Sequence, residues 1–237
     1  NLTFKEEEQP DGTILRGGYA VDDRQGVFHV ERKTGERITN MVYQQGKKVA
    51  EGMLDAEGMR QGSWKEYFMS GELKAEGEYQ DNLRIGVWKY YNAFGRVEQT
   101  GKYWKGIPDD EWIWYYSNGK VHRKEHYSKG KLEGEYIELD TSGVVILEGS
   151  YEDDNKVGPW KYQLNDHLEI GEYQDGEKNG IWKWYYFNTD EPAFEGEFVA
   201  GIPRGKHRMW YANGKLMEKG EYEGGLKTGD WIYYTEN

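Results

Sequence analysis

The pattern G-x-W-x-x-Y recurs along this chain at a nearly fixed interval, and that period constrains the fold more than any other feature. It reads GSWKEY at 62–67, GVWKYY at 86–91, DEWIWY at 110–115 and GEYIEL at 134–139. GPWKYQ at 158–163, GIWKWY at 180–185, GKHRMW at 205–210 and GDWIYY at 229–234 continue it. Successive copies start 24, 24, 24, 24, 22, 25 and 24 residues apart. Copies are followed by a turn such as MSGE, SNGK or ANGK, then by a segment ending in G-x-Y or G-x-F: 77–79, 101–103, 149–151, 171–173, 196–198 and 220–222.

Two runs of about seven residues, rich in aromatic and β-branched types and split by Asn-Gly or Ser-Gly, read as a β-hairpin. Upstream the same step continues through KTGE at 33–36 and QQGK at 44–47, but Gly26 lies 36 residues before Gly62, so the phase slips there. Leu2 to Tyr19 reads as a worn first unit. The expectation is one continuous repeat domain: degenerate repeats over 1–61 and regular ones over 62–237. The expected fold class is all-β, an elongated single-layer antiparallel meander of about 20 short strands built from ~24-residue hairpins, without helices.

A two-residue turn at Ser70-Gly71 or Asn118-Gly119 sets the register. It places Trp64 opposite Gly77 and Trp88 opposite Gly101, and a symmetric loop over 80–85 then flanks Gly77 with both Trp64 and Trp88. The shorter and longer copies keep Trp160 opposite Gly171 and Trp182 opposite Gly196. The structural positions are therefore Trp64, Trp88, Trp112, Trp160, Trp182 and Trp231, with Gly77, Gly101, Gly149, Gly171, Gly196 and Gly220. A glycine in a strand interior weakens it unless an aromatic ring packs on it.

Period-2 alternation sorts the faces. Trp88, Tyr90, Val97, Gly101 and Tyr103 share one, and Trp112, Trp114 and Tyr116 point the same way. The other carries Lys65, Lys74, Glu76 and Glu78, with one aromatic per copy: Tyr67, Tyr91, Tyr115, Tyr185 and Tyr234. These five tyrosines form the candidate binding surface. A single layer has no second layer to cover its aromatic face, which must be curled inward, capped or offered to a partner.

Composition narrows the function classes. Hydrophobic residues are only 36% of the chain, which suggests disorder, but 10 Trp and 20 Tyr argue for a folded, aromatic-built protein. The net charge of −12 repels phosphate backbones and anionic bilayers, so no nucleic acid is expected as a partner. No apolar run nears the ~20 residues that span a bilayer, so no membrane insertion is expected. Cysteine is absent, which removes disulfide and thiol chemistry. The first residues, Asn-Leu-Thr, suggest that a leader or upstream segment has been removed. With the missing cysteines, they lean toward export over the cytoplasm. The last residues stop where a further turn should begin, so continuation is expected.

No catalytic, metal or cofactor-binding residue is expected. His122 and His126 fall four residues apart on a strand, about 13 Å, too far to share a metal. Asp153-Asp154-Asn155 occupies a turn position. Phosphate-binding glycine loops and the nucleophile-elbow pattern are absent.

The unit KYYNAFGRVEQTGKYWKG at 89–106, and the pattern over Gly62 to Tyr234, resemble the MORN repeat variant, as in bacterial proteins of the YwqK-type antitoxin family. Departures are Asp110 for the first glycine, Tyr136 and His207 for tryptophan, and Glu125 for the second glycine. The resemblance implies an elongated antiparallel array used for protein association, and raises a toxin-neutralising role that would place it in the cytoplasm. The leading expectation is thus a non-enzymatic scaffold with another protein as partner. The alternative is a carbohydrate or cell-wall binding module stacking sugars on exposed Trp and Tyr.

Overall fold

The computed structural model describes residues 2–237, and every regular element among them is a β-strand. Contacts divide the chain into two units, one ending at Gly119 and one starting at Lys120. The first holds β1 (Thr3–Glu8), β2 (Ile14–Ala20), β3 (Asp23–Glu31), β4 (Arg37–Gln44), β5 (Lys47–Leu54), β6 (Arg60–Tyr67), β7 (Leu73–Gln80), β8 (Leu83–Tyr91), β9 (Val97–Trp104) and β10 (Ile107–Tyr115). The second holds β11 (Val121–Ser128), β12 (Lys131–Leu139), β13 (Val145–Glu152), β14 (Asn155–Gln163), β15 (His167–Gln174), β16 (Glu177–Tyr186), β17 (Pro192–Val199), β18 (Ile202–Trp210), β19 (Leu216–Glu223) and β20 (Leu226–Tyr233). Within each unit the strands pair antiparallel in chain order, and extensive contacts run only between chain neighbours. Each unit is therefore a single-layer meander, the expected fold class.

Two kinds of turn alternate, and both differ in detail from the sequence reading. The loop expected over 80–85 is a two-residue turn, Asp81-Asn82, with φ of 53° and 64°. Asp153-Asp154 and Asp175-Gly176 repeat it, with both residues left-handed as a type I′ turn requires. The two-residue turn expected at Ser70-Gly71 is instead a three-residue loop. The Phe68 and Glu72 backbones bond across it at 2.9 Å, and Gly71 takes a φ of 105°. A one-residue shift beside it, between Glu66 and Tyr67, restores the expected register inside the strands. The 36-residue interval upstream also has a local cause. Loops of the three-residue kind close both β5–β6 and β6–β7 in succession, without the usual type I′ turn between them.

Trp64 lies opposite Gly77, Trp88 opposite Gly101, Trp160 opposite Gly171 and Trp182 opposite Gly196. Between β7 and β8, Glu78 pairs with Ile85 but Glu76 pairs with Lys89, so the single residue Gly77 faces the three-residue stretch Gly86–Trp88. Gly86 turns the chain there at a φ of 63°. In the next copy Asp110 does so at 65°, a conformation that aspartate tolerates better than most residues. The two glycines of a repeat therefore differ in kind. Gly86 supplies backbone freedom and has nothing within 4 Å of its would-be Cβ, whereas Gly77 supplies space.

The ring filling that space corrects the sequence picture. A Cβ on Gly77 would meet Trp88 at 2.4 Å, not the directly opposite Trp64, whose ring covers Gly52 of the preceding strand. Gly101 lies under Trp112, Gly149 under Trp160, Gly171 under Trp182 and Gly220 under Trp231. Each indole leans back onto the strand before it.

Candidate interaction surfaces

The tryptophan face is closed by its own side chains. Trp64, Trp88, Trp112, Trp160 and Trp182 are all buried, although no second layer lies over them. A hydrogen bond aims each ring: the indole N–H of Trp88 donates to the Glu78 carbonyl at 3.1 Å, just beside Gly77. Trp64 donates to Met53, Trp112 to Lys102, Trp160 to Ser150, Trp182 to Glu172 and Trp231 to Glu221, at 3.1–3.3 Å. Where successive copies both carry tryptophan, the tyrosine of G-x-Y wedges edge-on between the two indoles. Tyr79 stands 6.0 Å from Trp64 and 5.0 Å from Trp88, both near-perpendicular, and Tyr173 stands 5.8 Å from Trp160 and 5.2 Å from Trp182. Edge-to-face contact is the favoured aromatic geometry.

Cations cap five of the indoles. Arg60 sits 4.7 Å over Trp64, Arg84 4.5 Å over Trp88, Lys156 4.4 Å over Trp160, Lys178 3.9 Å over Trp182 and Lys227 3.7 Å over Trp231. Arg60 and Arg84 also share the Glu66 carboxylate, each at 3.4 Å, and Tyr79 donates its hydroxyl to Glu66 at 2.8 Å. Each cation is drawn to the negative face of the indole by the ring quadrupole. The sequence reading missed this row. Its signal is a basic residue four positions before the tryptophan, broken at Pro108, Leu132 and Pro203.

The departures from the motif are compensated. His207 is buried in the tryptophan slot, and its Nε2 lies 3.0 Å from the Glu197 carbonyl. A carbonyl only accepts, so Nε2 carries the proton and imitates the indole N–H. Where Glu125 replaces the second glycine, Tyr136 replaces the tryptophan opposite it. The smaller ring leaves room for the buried Glu125 carboxylate, which takes Arg123 at 3.0 Å and the Tyr127 hydroxyl at 2.6 Å.

On the back face, Tyr67, Tyr91 and Tyr115 lean onto the preceding strand rather than standing free. Tyr67 donates its hydroxyl to Glu51 under the Lys48 ammonium, 4.5 Å from the ring centre. Tyr91 donates to Glu76 at 2.6 Å, and the Tyr115 hydroxyl lies 3.4 Å from Thr100 Oγ1. Tyr185 lines one groove with Ile170 and Ile181, and Tyr234 is exposed, with Lys219 6.0 Å from its ring centre. Burial first, then the bond to Glu76, pushes the Tyr91 phenol from 10.0 up to about 12, and burial with Glu51 pushes Tyr67 the same way. The folded state thus favours neutral phenols. Their contribution is complete below pH 10 and is lost as the pH rises through the folded value. Melting temperature should therefore be level up to about pH 10 and fall between about pH 10 and pH 12, with part of the fall removed by Tyr91→Phe.

The back face also carries grooves. In the second unit one of about 700 Å³ crosses β12 to β16, with Ile137, Ile170, Ile181 and Tyr185 among its lining. In the first unit one of about 660 Å³ lies among Glu51, Ser63, Lys65, Glu78, Val87 and Lys89.

Segments 60–81, 111–129 and 203–223 match the model of the MORN repeat variant. Those three segments are similar to MORN-variant repeats. No curated protein matches it significantly. Among solved structures, a chain of "Crystal structure of GtfA/B complex bound to UDP and GlcNAc" aligns at 13% identity and a TM-score of 0.18. The alignment covers 51% of this chain and 21% of that one, and a likeness at that level bears no argument. The expected Trp and Gly positions build one face of each hairpin. The five candidate tyrosines stand on the other.

Proposed function

We propose that this MORN-variant chain is a non-enzymatic scaffold that binds another protein across the back faces of its hairpins. The contrast between the faces carries the reading: the tryptophan face is sealed by its own cations, while the back face is open and grooved. Extended repeat surfaces suit protein association because each repeat adds similar area. Covering a toxin would be one form of it, in keeping with the resemblance to the YwqK-type antitoxins. The carbohydrate reading loses support because the five most regular indoles are buried and present no ring face to a sugar. The acidic surface also opposes docking to anionic lipid.

Capture from native lysate tests this, with two variants of opposite expectation. Val87 is 61% exposed on the back face, so Val87→Asp should abolish capture without lowering the melting temperature. Arg84→Gln should lower the melting temperature and leave capture by the folded chain intact. No specific capture, or capture indifferent to Val87→Asp, would overturn the proposal.

A further inference from the structure

The second-unit groove has a chemical bias. Its apolar floor includes Ile137, Ile170 and Ile181, the last 51% exposed. Among its charged side chains, Lys161 pairs with Glu148 at 3.3 Å, and Lys183 pairs with Glu195 of β17 at 3.6 Å. Glu135 and Glu172 remain, both exposed and in no ion pair among the described residues. Glu135 is on β12 and Glu172 on β15, so three strand spacings, about 14 Å, separate them.

We propose that this groove binds a basic, apolar-anchored segment of a partner protein laid across β12 to β16. Apolar side chains rest on the isoleucines, and two Lys or Arg residues about 14 Å apart meet Glu135 and Glu172. An acidic segment would have to displace Glu148 and Glu195 from their lysines against a net charge of −12. A purely apolar segment would strip water from two carboxylates and return nothing. A second copy of this chain carries the same net negative charge and is repelled. The inference rests on the scaffold reading and adds the site and the chemistry of the partner.

The test is fluorescence anisotropy of the full chain with a labelled synthetic peptide alternating Lys and Leu, beside a Glu/Leu and a Lys/Ser peptide. The Lys/Leu peptide should bind tightest, with each companion weaker by about tenfold. The double variant Glu135→Gln/Glu172→Gln should weaken Lys/Leu binding by about tenfold. Asp190→Asn/Glu152→Gln, the same charge change at exposed sites of the same unit, should leave it unchanged. Ile181→Ser, read on chain whose melting temperature is intact, should weaken it as well. Failure of the Lys/Leu peptide to bind, or equal loss in the two double variants, overturns the inference. If lysate capture then still depends on Val87, the scaffold reading survives that failure; if capture is also absent, both fall.

Discussion

Gly77→Ala is expected to destabilise the first unit by about 3 kcal/mol or more. The new methyl would lie 2.4 Å from Cδ2 and Cε2 of Trp88. That ring is fully buried, tied to the Glu78 carbonyl at 3.1 Å and capped by Arg84 at 4.5 Å. It has no free direction in which to yield, so either it leaves its hydrogen bond or the strands part. Gly86→Ala is the matched control in the same hairpin pair. It meets nothing within 4 Å and costs only the strain of a φ of 63°, about 1–2 kcal/mol. Urea unfolding of the two variants measures the difference. Equal losses would mean that Trp88 does not cover Gly77.

Trp88→Ala is expected to cost about 3–5 kcal/mol. The indole touches the rings of Tyr79, Tyr90 and Tyr103, so its loss opens a gap on both sides and strands the cation above it. In an array whose units contact only their neighbours, the damage should be local. Hydrogen exchange should therefore quicken in β7 to β9 first. Trp88→His should recover about 1 kcal/mol of the loss, because an imidazole can donate to the same carbonyl, as His207 does to Glu197. If Trp88→His is no better than Trp88→Ala, the indole N–H does not aim the ring.

The repeat, its strands and its cross-strand pairing were legible because a period of about 24 residues with alternating faces admits few other solutions. The pairing of Trp64 with Gly77 follows from hairpin symmetry alone. Which glycine each ring covers does not. That depends on the stretch from Gly86 to Trp88 facing one residue, and on a backbone carbonyl that accepts the indole N–H, neither visible in a motif. The turn at Ser70-Gly71 was misread for a related reason. A three-residue loop plus a one-residue shift gives the same strand register as a two-residue turn. The cation row was present in the letters at Arg60, Arg84, Lys156, Lys178 and Lys227, but only proximity to the rings gives it meaning. On the back face, alternation placed the tyrosines correctly yet could not show that Tyr67 and Tyr91 have their hydroxyls engaged by Glu51 and Glu76.

The central claim is that the tryptophan face is a self-sealed core, which leaves the back face as the open one. Oxidation of the native chain by N-bromosuccinimide, mapped by mass spectrometry, tests it ring by ring. Trp104 is 62% exposed and should react first, while Trp64, Trp88, Trp160 and Trp182 should stay intact until denaturant unfolds their units. Oxidation of those four at the rate of Trp104 in the folded chain would contradict the account.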